Sequence, residues 1–101
     1  MNKATHWTVP LDHPALAGHF PANPILPGVV LLDLALQIIA NSSGMTLEHC
    51  EISVLKFLSP ARPGDELLIQ HSVSASGTLH FDIMAGRRKI ASGTVVPGLP
   101  A

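Results

Sequence analysis

One predicted helix is apolar on nearly every side, and this feature limits the fold more than any other. The segment from Pro27 to Ala40 reads PGVVLLDLALQIIA, and only Asp33 and Gln37 interrupt its apolar character. Proline suits the first turn of a helix, where its missing N–H leaves no bond unmade. A helix that is apolar all round is buried on all sides, so we expect the rest of the chain to wrap around it. The segment is too short for a membrane span, which needs about 20 apolar residues.

The remainder of the chain reads mainly as short strands. We predict strands over residues 5–9, 51–58, 65–74, 78–85 and 89–96. Alternation is clearest in 78–85, where Leu79, Phe81 and Ile83 face one way. The short turns after the third and fourth strands favour antiparallel neighbours, and we expect the last four strands to form a meander. The pattern predicts an α+β fold in which an antiparallel sheet wraps around one central buried helix, with residues 1–101 as a single domain.

The charge content predicts an oligomer. Charged residues make up 13% of the chain and hydrophobic residues 47%, whereas a typical domain has about 25% charged residues. A partner surface, most simply a second copy of the chain, would cover the excess apolar surface. The net charge of −1 argues against a nucleic-acid partner, which would require a basic stripe. A lone cysteine, Cys50, and an N-terminus without an apolar signal region predict a cytoplasmic protein.

Two features of the helix suggest chemistry. A carboxylate such as Asp33 is costly to bury unless it is paired or protonated, and Gln37 lies one turn further along the same stripe. A plainer interpretation places Asp33 on a solvated stripe of the helix or makes it a cap for a neighbouring backbone group. The first N–H groups after Pro27 belong to Gly28 and Val29, and a helix N-terminus can hold an oxyanion. The plain alternative is that Gly28 only eases the chain into the helix.

His19 is the histidine that its neighbours single out. It lies within Gly18-His19-Phe20-Pro21, just before the proline-rich entry to the helix. None of the six histidines forms a His-Glu-x-x-His arrangement, and one cysteine excludes a Cys-rich zinc site. We therefore expect no metal site.

The segment from Gly18 to Gln37, GHFPANPILPGVVLLDLALQ, resembles the signature of the 3-hydroxyacyl-[acyl-carrier-protein] dehydratases. That pattern runs G-H-F-P-x-x-P-x-x-P-G-V, followed by an acidic residue and then Gln. Lys56-Phe57 and the run from Arg62 to Asp65 resemble the family's basic-aromatic strand and its P-G-D turn. The chain is also similar to compact, ApeI-like thioester dehydratases of pathways such as aryl-polyene synthesis. The resemblance covers roughly residues 5–96 and implies a hotdog fold and a homodimer without metal or cofactor.

The resemblance also implies roles for individual residues. His19 is the base, Asp33 of the opposite subunit is the acid, and the Gly28 N–H is the oxyanion donor, with Val29 and Gln37 beside the substrate. The product would be the trans-2-enoyl thioester, in fatty-acid or polyketide-type synthesis. Asp33 stands where this branch usually has Glu, and the Asp form resembles the branch that also isomerises the double bond.

The residues leave other interpretations open. A hotdog thioesterase or enoyl hydratase would use the same thioester grip, and a non-catalytic acyl-binding protein would need neither His19 nor Asp33. The acyl carrier is an acidic carrier protein or coenzyme A. A carrier protein would need a basic patch, for which the candidates are Arg62, Arg87, Arg88 and Lys89. The alternative is that these are solvated charges of a hairpin.

Overall fold

Among the residues that the structure describes, five antiparallel strands form one sheet and one helix lies against it. The computed structural model describes residues 2–11, 26–43 and 50–97. The elements in chain order are β1 (Asn2–Thr8), α1 (Gly28–Ser43), β2 (Cys50–Phe57), β3 (Glu66–Val73), β4 (Leu79–Ala85) and β5 (Arg88–Pro97). The strands follow the order β1-β3-β4-β5-β2 across the sheet. The predicted α+β architecture is confirmed, and β1 begins three residues before its predicted start.

The core lies between one stripe of the helix and one face of the sheet. Leu31, Ala35 and Ile39, spaced four residues apart, are the buried positions of α1. On the sheet, alternate residues of β3 and β4 are buried, as the predicted alternation requires. Burying each large apolar side chain contributes roughly 1.5–3 kcal/mol, so this alternation fixes which face of the sheet the helix covers. The buried apolar side chains of the sheet are Leu67, Ile69, Leu79, Phe81, Ile83, Ile90, Ala91 and Val95.

The position of β2 differs from the predicted meander. Strands β3, β4 and β5 are joined in sequence, but β2 pairs with β5 at the far edge of the sheet and not with β3. The link of residues 58–65 contains Pro60 and Pro63 and makes no tight hairpin. Its backbone instead bridges to the chain entering the helix, through Leu26 and Ala61. The link therefore carries the chain from one edge of the sheet to a strand that lies next to the opposite edge.

The helix is not buried on all sides within one chain, so this prediction was wrong for the chain alone. Val29, Asp33 and Gln37 form an exposed stripe opposite the buried one. The sheet covers one face of α1, and no described element covers the other. The apolar positions flanking the stripe are half-buried: Val30, Leu32, Leu34, Leu36 and Ile38. Among the residues described, no helix is long and apolar enough to cross a membrane.

His71 is the buried polar residue of the described core, 4% exposed. It lies on β3 between Lys3 of β1 and Phe81 of β4, and its Nδ1 has no hydrogen-bond partner among the described residues. The Lys3 ammonium donates a hydrogen bond to the Ser42 carbonyl oxygen at the end of α1, at 2.8 Å. Burial, assisted by the positive charge of Lys3, lowers the pKa of the His71 imidazole from its ordinary value of 6.5.

This burial predicts that acid destabilises the fold. An unfolded chain binds the His71 proton at a pKa of about 6.5, whereas the folded chain resists it. The stabilisation from neutral His71 is therefore complete above about pH 6.5 and is lost as the pH falls below that value. We expect the free energy of unfolding, measured with urea at a series of pH values, to fall over this range. The fall should be reduced in His71→Leu and kept in His80→Gln, which replaces an exposed histidine; an unchanged slope in His71→Leu would contradict the assignment.

Candidate active site

At the N-terminus of α1, two backbone N–H groups are unpaired within the described part of the chain. The Pro27 carbonyl oxygen accepts hydrogen bonds from the N–H groups of Val30 and Leu31, at 3.1 and 3.0 Å. The N–H groups of Gly28 and Val29 have no acceptor among the described residues. These donors lie at the positive end of the helix dipole, which favours a partial negative charge on a ligand.

An apolar cleft opens beside this end of the helix. Its volume is about 410 Å³, near the lower end of the roughly 300–1,000 Å³ typical of small-molecule sites. The cleft lies between the first turn of α1, the end of β2 and the 58–65 link. Its described lining consists of Leu26, Gly28, Leu31, Phe57, Leu58, Ser59, Pro60 and Ala61. The composition suits an acyl chain close to the helix donors.

Asp33 and Gln37 are hydrogen-bonded to each other. The Gln37 amide Nε2 donates to Asp33 Oδ2 at 2.8 Å, and both side chains are exposed. At about 1.5 Å rise per residue, Asp33 lies about 7.5 Å further along the helix axis than Gly28. The structure thus places the carboxylate, its amide partner and the free donors on one helix. In the isolated chain the carboxylate is exposed, as the plainer interpretation of the sequence had it.

His19 lies outside the described residues, as does the proline-rich segment around it. Its predicted role as the base therefore stays a prediction. Within the described ranges, no group of His, Cys, Asp and Glu side chains is arranged to hold a metal ion.

Of the four basic residues predicted to bind a carrier protein, two form ion pairs with aspartates of the same chain. Arg88 Nη2 pairs with Asp65 Oδ2 at 3.0 Å, and Lys89 Nζ pairs with Asp82 Oδ1 at 3.0 Å. Arg88 Nη1 also donates to the Pro60 carbonyl oxygen, which ties the β4–β5 turn to the 58–65 link.

Arg62 lies three residues before Asp65, and Arg87 directly precedes Arg88. Both arginines are exposed. The backbone N–H of Arg62 donates to Asp65 Oδ2 at 2.9 Å, but no described group pairs with either guanidinium. Within residues 2–11, 26–43 and 50–97, these two side chains are therefore the ones of the four left without an ion-pair partner.

Phe57 is a residue of the cleft to which sequence reasoning gave no role. Its ring lies so close to Gly28 that a Cβ atom added there would be 3.0–3.2 Å from three ring carbons. Only glycine fits comfortably against the ring at this point, which gives Gly28 a steric reason beyond easing the chain into the helix. The sequence had drawn attention to the Lys56-Phe57 pair. It could not predict the contact, because Gly28 and Phe57 are 29 positions apart in the chain.

Comparison with known proteins identifies the fold and the family. The structure is similar to that of the dehydratase heterocomplex ApeI:P from Xenorhabdus doucetiae, with a TM-score of 0.78, 22% identity and coverage of 94% of this chain and 85% of that one. It is also similar to a variant of the fluoroacetyl-CoA-specific thioesterase FlK, with a TM-score of 0.65, 14% identity and coverage of 96% and 86%. The hotdog fold implied by the sequence is thereby confirmed.

Comparison of sequences identifies the family of the chain. A protein from Chlamydia trachomatis serovar L2, named 3-hydroxyacyl-[acyl-carrier-protein] dehydratase FabZ, is 33% identical over 98 residues, which cover 84% of this chain and 64% of that protein. The chain spans about half the length of two further relatives of that name, 51% and 48%. The family described as "ApeI-like: ApeI dehydratase" matches residues 2–94. The chain belongs to this ApeI-like dehydratase family, as its signature implied.

Proposed function

We propose that the protein removes water from a 3-hydroxyacyl thioester, carried by an acyl carrier protein, to give the trans-2-enoyl thioester. The observation that carries this proposal is the arrangement on α1, where free N–H donors open onto an apolar cleft and a carboxylate lies further along the same helix. Family membership and the names of the relatives support the same reaction. The proposed unit is residues 1–101 acting as one domain, in the cytoplasm and without a metal or cofactor.

The chemistry assigns one step to each group. His19 takes a proton from the carbon next to the thioester carbonyl, a task suited to an imidazole that titrates near neutral pH. The Gly28 N–H, with Val29 as the next donor, stabilises the negative charge that develops on the carbonyl oxygen. Asp33 gives a proton to the hydroxyl group on the following carbon, which leaves as water. The hydrogen bond from Gln37 holds the Asp33 carboxyl in place.

An assay with both sides of the reaction tests this function. The purified protein is mixed with 3-hydroxybutyryl and with crotonyl carrier-protein thioesters, and each mixture is followed by mass spectrometry. Interconversion of the two is the expected result. Release of the free carrier thiol would instead identify a thioesterase, the activity of the more distant FlK neighbour. Binding without turnover of either thioester would identify a non-catalytic acyl-binding protein.

We further propose that a second copy of the chain docks along β2. This strand is the edge of the described sheet next to β5, and Ile52 and Val54 are 41% and 46% exposed on it. An exposed edge strand with apolar side chains favours pairing with another strand. Val29, 74% exposed on the uncovered helix stripe, adds to the surface that needs cover. A homodimer of this kind would bring Asp33 of one chain towards His19 of the other.

The free arginines predict how a carrier protein is recognised. Replacing Arg62 and Arg87 together by Glu should raise KM for the carrier-protein substrate about tenfold, because two attractive charges become repulsive towards an acidic partner. The same acyl group on uncharged pantetheine is the matched control and should keep its KM. The wild-type preference for the carrier substrate should also weaken with added salt. An equal KM change for both substrates would contradict docking and indicate damage to the cleft.

A further inference from the structure

We propose that Phe57 is a positioning residue of the thioester site, whose ring shields the free donors of α1 from water and holds the thioester against them. The assignment rests on the proposed function and adds to it a residue with a defined task. It follows from two observations, the close approach of the ring to Gly28 and the place of the ring in the wall of the cleft.

The ring contacts the helix at its first residue. A Cβ atom on Gly28 would lie 3.0 Å from Phe57 Cζ, 3.1 Å from Cε1 and 3.2 Å from Cε2. The far end of the ring therefore lies against the backbone that carries the free N–H groups. An apolar group at this distance excludes water from one side of the donors. Hydrogen bonds gain strength where water is excluded, and a preorganised donor then stabilises a developing oxyanion more effectively.

The rest of the ring remains available to a ligand. Phe57 is 50% exposed, yet it lines the same cleft as Leu26, Leu31 and Leu58. A side chain that only filled the core would be buried, as Phe81 is at 2%. The exposed part of the ring borders the space in which a thioester would have to lie to reach the Gly28 N–H. Phe57 thus adjoins both the donor and the proposed substrate.

The exposure of the ring also makes the contact testable by substitution. Gly28→Ala would press on a half-exposed ring, which can move by a few tenths of an ångström, so the variant should fold. The displaced ring would then misplace the thioester. Misplacements of about 1 Å can cost on the order of 100-fold in rate, so for this smaller shift we expect kcat to fall about tenfold. Phe57→Leu makes room for the methyl group that Gly28→Ala adds. It also removes the flat ring that shields the helix donors from water.

The experiment is a double-mutant cycle in the dehydration assay, with folding checked by circular dichroism. We expect Phe57→Leu to lower kcat about fivefold with KM changed by less than about twofold, and Phe57→Tyr to keep wild-type values, because the loss is one of transition-state stabilisation. The double variant Gly28→Ala with Phe57→Leu should match Phe57→Leu and so be about twofold more active than Gly28→Ala alone, since the steric conflict is gone. Val73→Ala, which trims an exposed apolar side chain of β3, is the control and should have no effect.

Each other outcome overturns the assignment. A double variant whose loss equals the product of the two single losses would show that the alanine acts without the ring. An unchanged kcat in Phe57→Leu would show that Phe57 has no role in positioning the thioester. The proposed dehydratase function would not be affected by that result. Absence of turnover by the wild-type protein would overturn the function and this assignment together.

Discussion

A mixture of His19→Ala and Asp33→Asn chains is expected to regain about a quarter of wild-type activity, although each variant alone is nearly inactive. If the two residues meet across a dimer interface, a mixed dimer has one site with both native residues and one site with neither. Random exchange makes about half of the dimers mixed, and half of their sites are intact. Loss of a general base or acid typically costs about 10²–10⁴ in rate, so the recovered activity should stand far above either homodimer.

The choice of variants separates chemistry from packing. Asp33→Asn keeps the shape of the side chain and a group that can bond to Gln37, so loss of packing does not explain an inactive variant. Subunit exchange is verified by native mass spectrometry of chains with different tags. If exchange is complete and no activity returns, the two residues act within one chain or Asp33 is not catalytic. Near-native activity of the Asp33→Asn homodimer would favour the plainer interpretation, in which Asp33 only lies on a solvated stripe of the helix.

The second large effect is expected at the β2 edge. Ile52→Lys combined with Val54→Lys should convert the dimer to monomers at micromolar concentration and abolish dehydration. Each buried charge costs several kcal/mol when it lacks a partner, and a dimer would have to bury four. We therefore expect the dissociation constant to rise at least about 100-fold. Sedimentation velocity gives the oligomeric state, and the activity assay is run on the same samples.

A matched pair of lysines on the opposite edge is the control. Ala4→Lys combined with Thr8→Lys adds the same charge to β1, where both positions are exposed, and should leave the dimer intact. A wild-type chain that is a stable monomer would refute the homodimer. A monomer that becomes active only with a second, different hotdog chain would point to a heteromer, the kind of assembly named for the Xenorhabdus neighbour.

Sequence reasoning succeeded where a local pattern decides the outcome. The helix follows from its continuous apolar run after Pro27. The alternating face of β4 follows from periodicity, because burial of each apolar side chain favours the same register. The location of β2 could not be read in this way. A link with two prolines is compatible with either edge of the sheet, and the bridge between Leu26 and Ala61 that selects one edge is a long-range contact.

The candidate site was partly predictable for the same reason. The helix donors and Asp33 are local features of one segment, and the sequence pointed to both. The exposure of Asp33 agreed with the plainer interpretation of the sequence. Apolar flanks such as Leu32 and Leu34 predict burial without saying whether the cover comes from the same chain. The Phe57 contact with Gly28 was missed because no periodicity relates a strand residue to a helix terminus.

The path of the chain from β2 into the 58–65 link has a consequence for how such a protein can change over time. One stretch of 16 residues, 50–65, supplies the exposed edge strand, one wall of the acyl cleft and the Asp65 carboxylate that anchors Arg88. A substitution that adapts the cleft to a longer or bulkier acyl group therefore also alters the surface offered to another subunit. In this fold, therefore, substrate range and choice of subunit evolve together, because a mutation selected for its effect on one also affects the other.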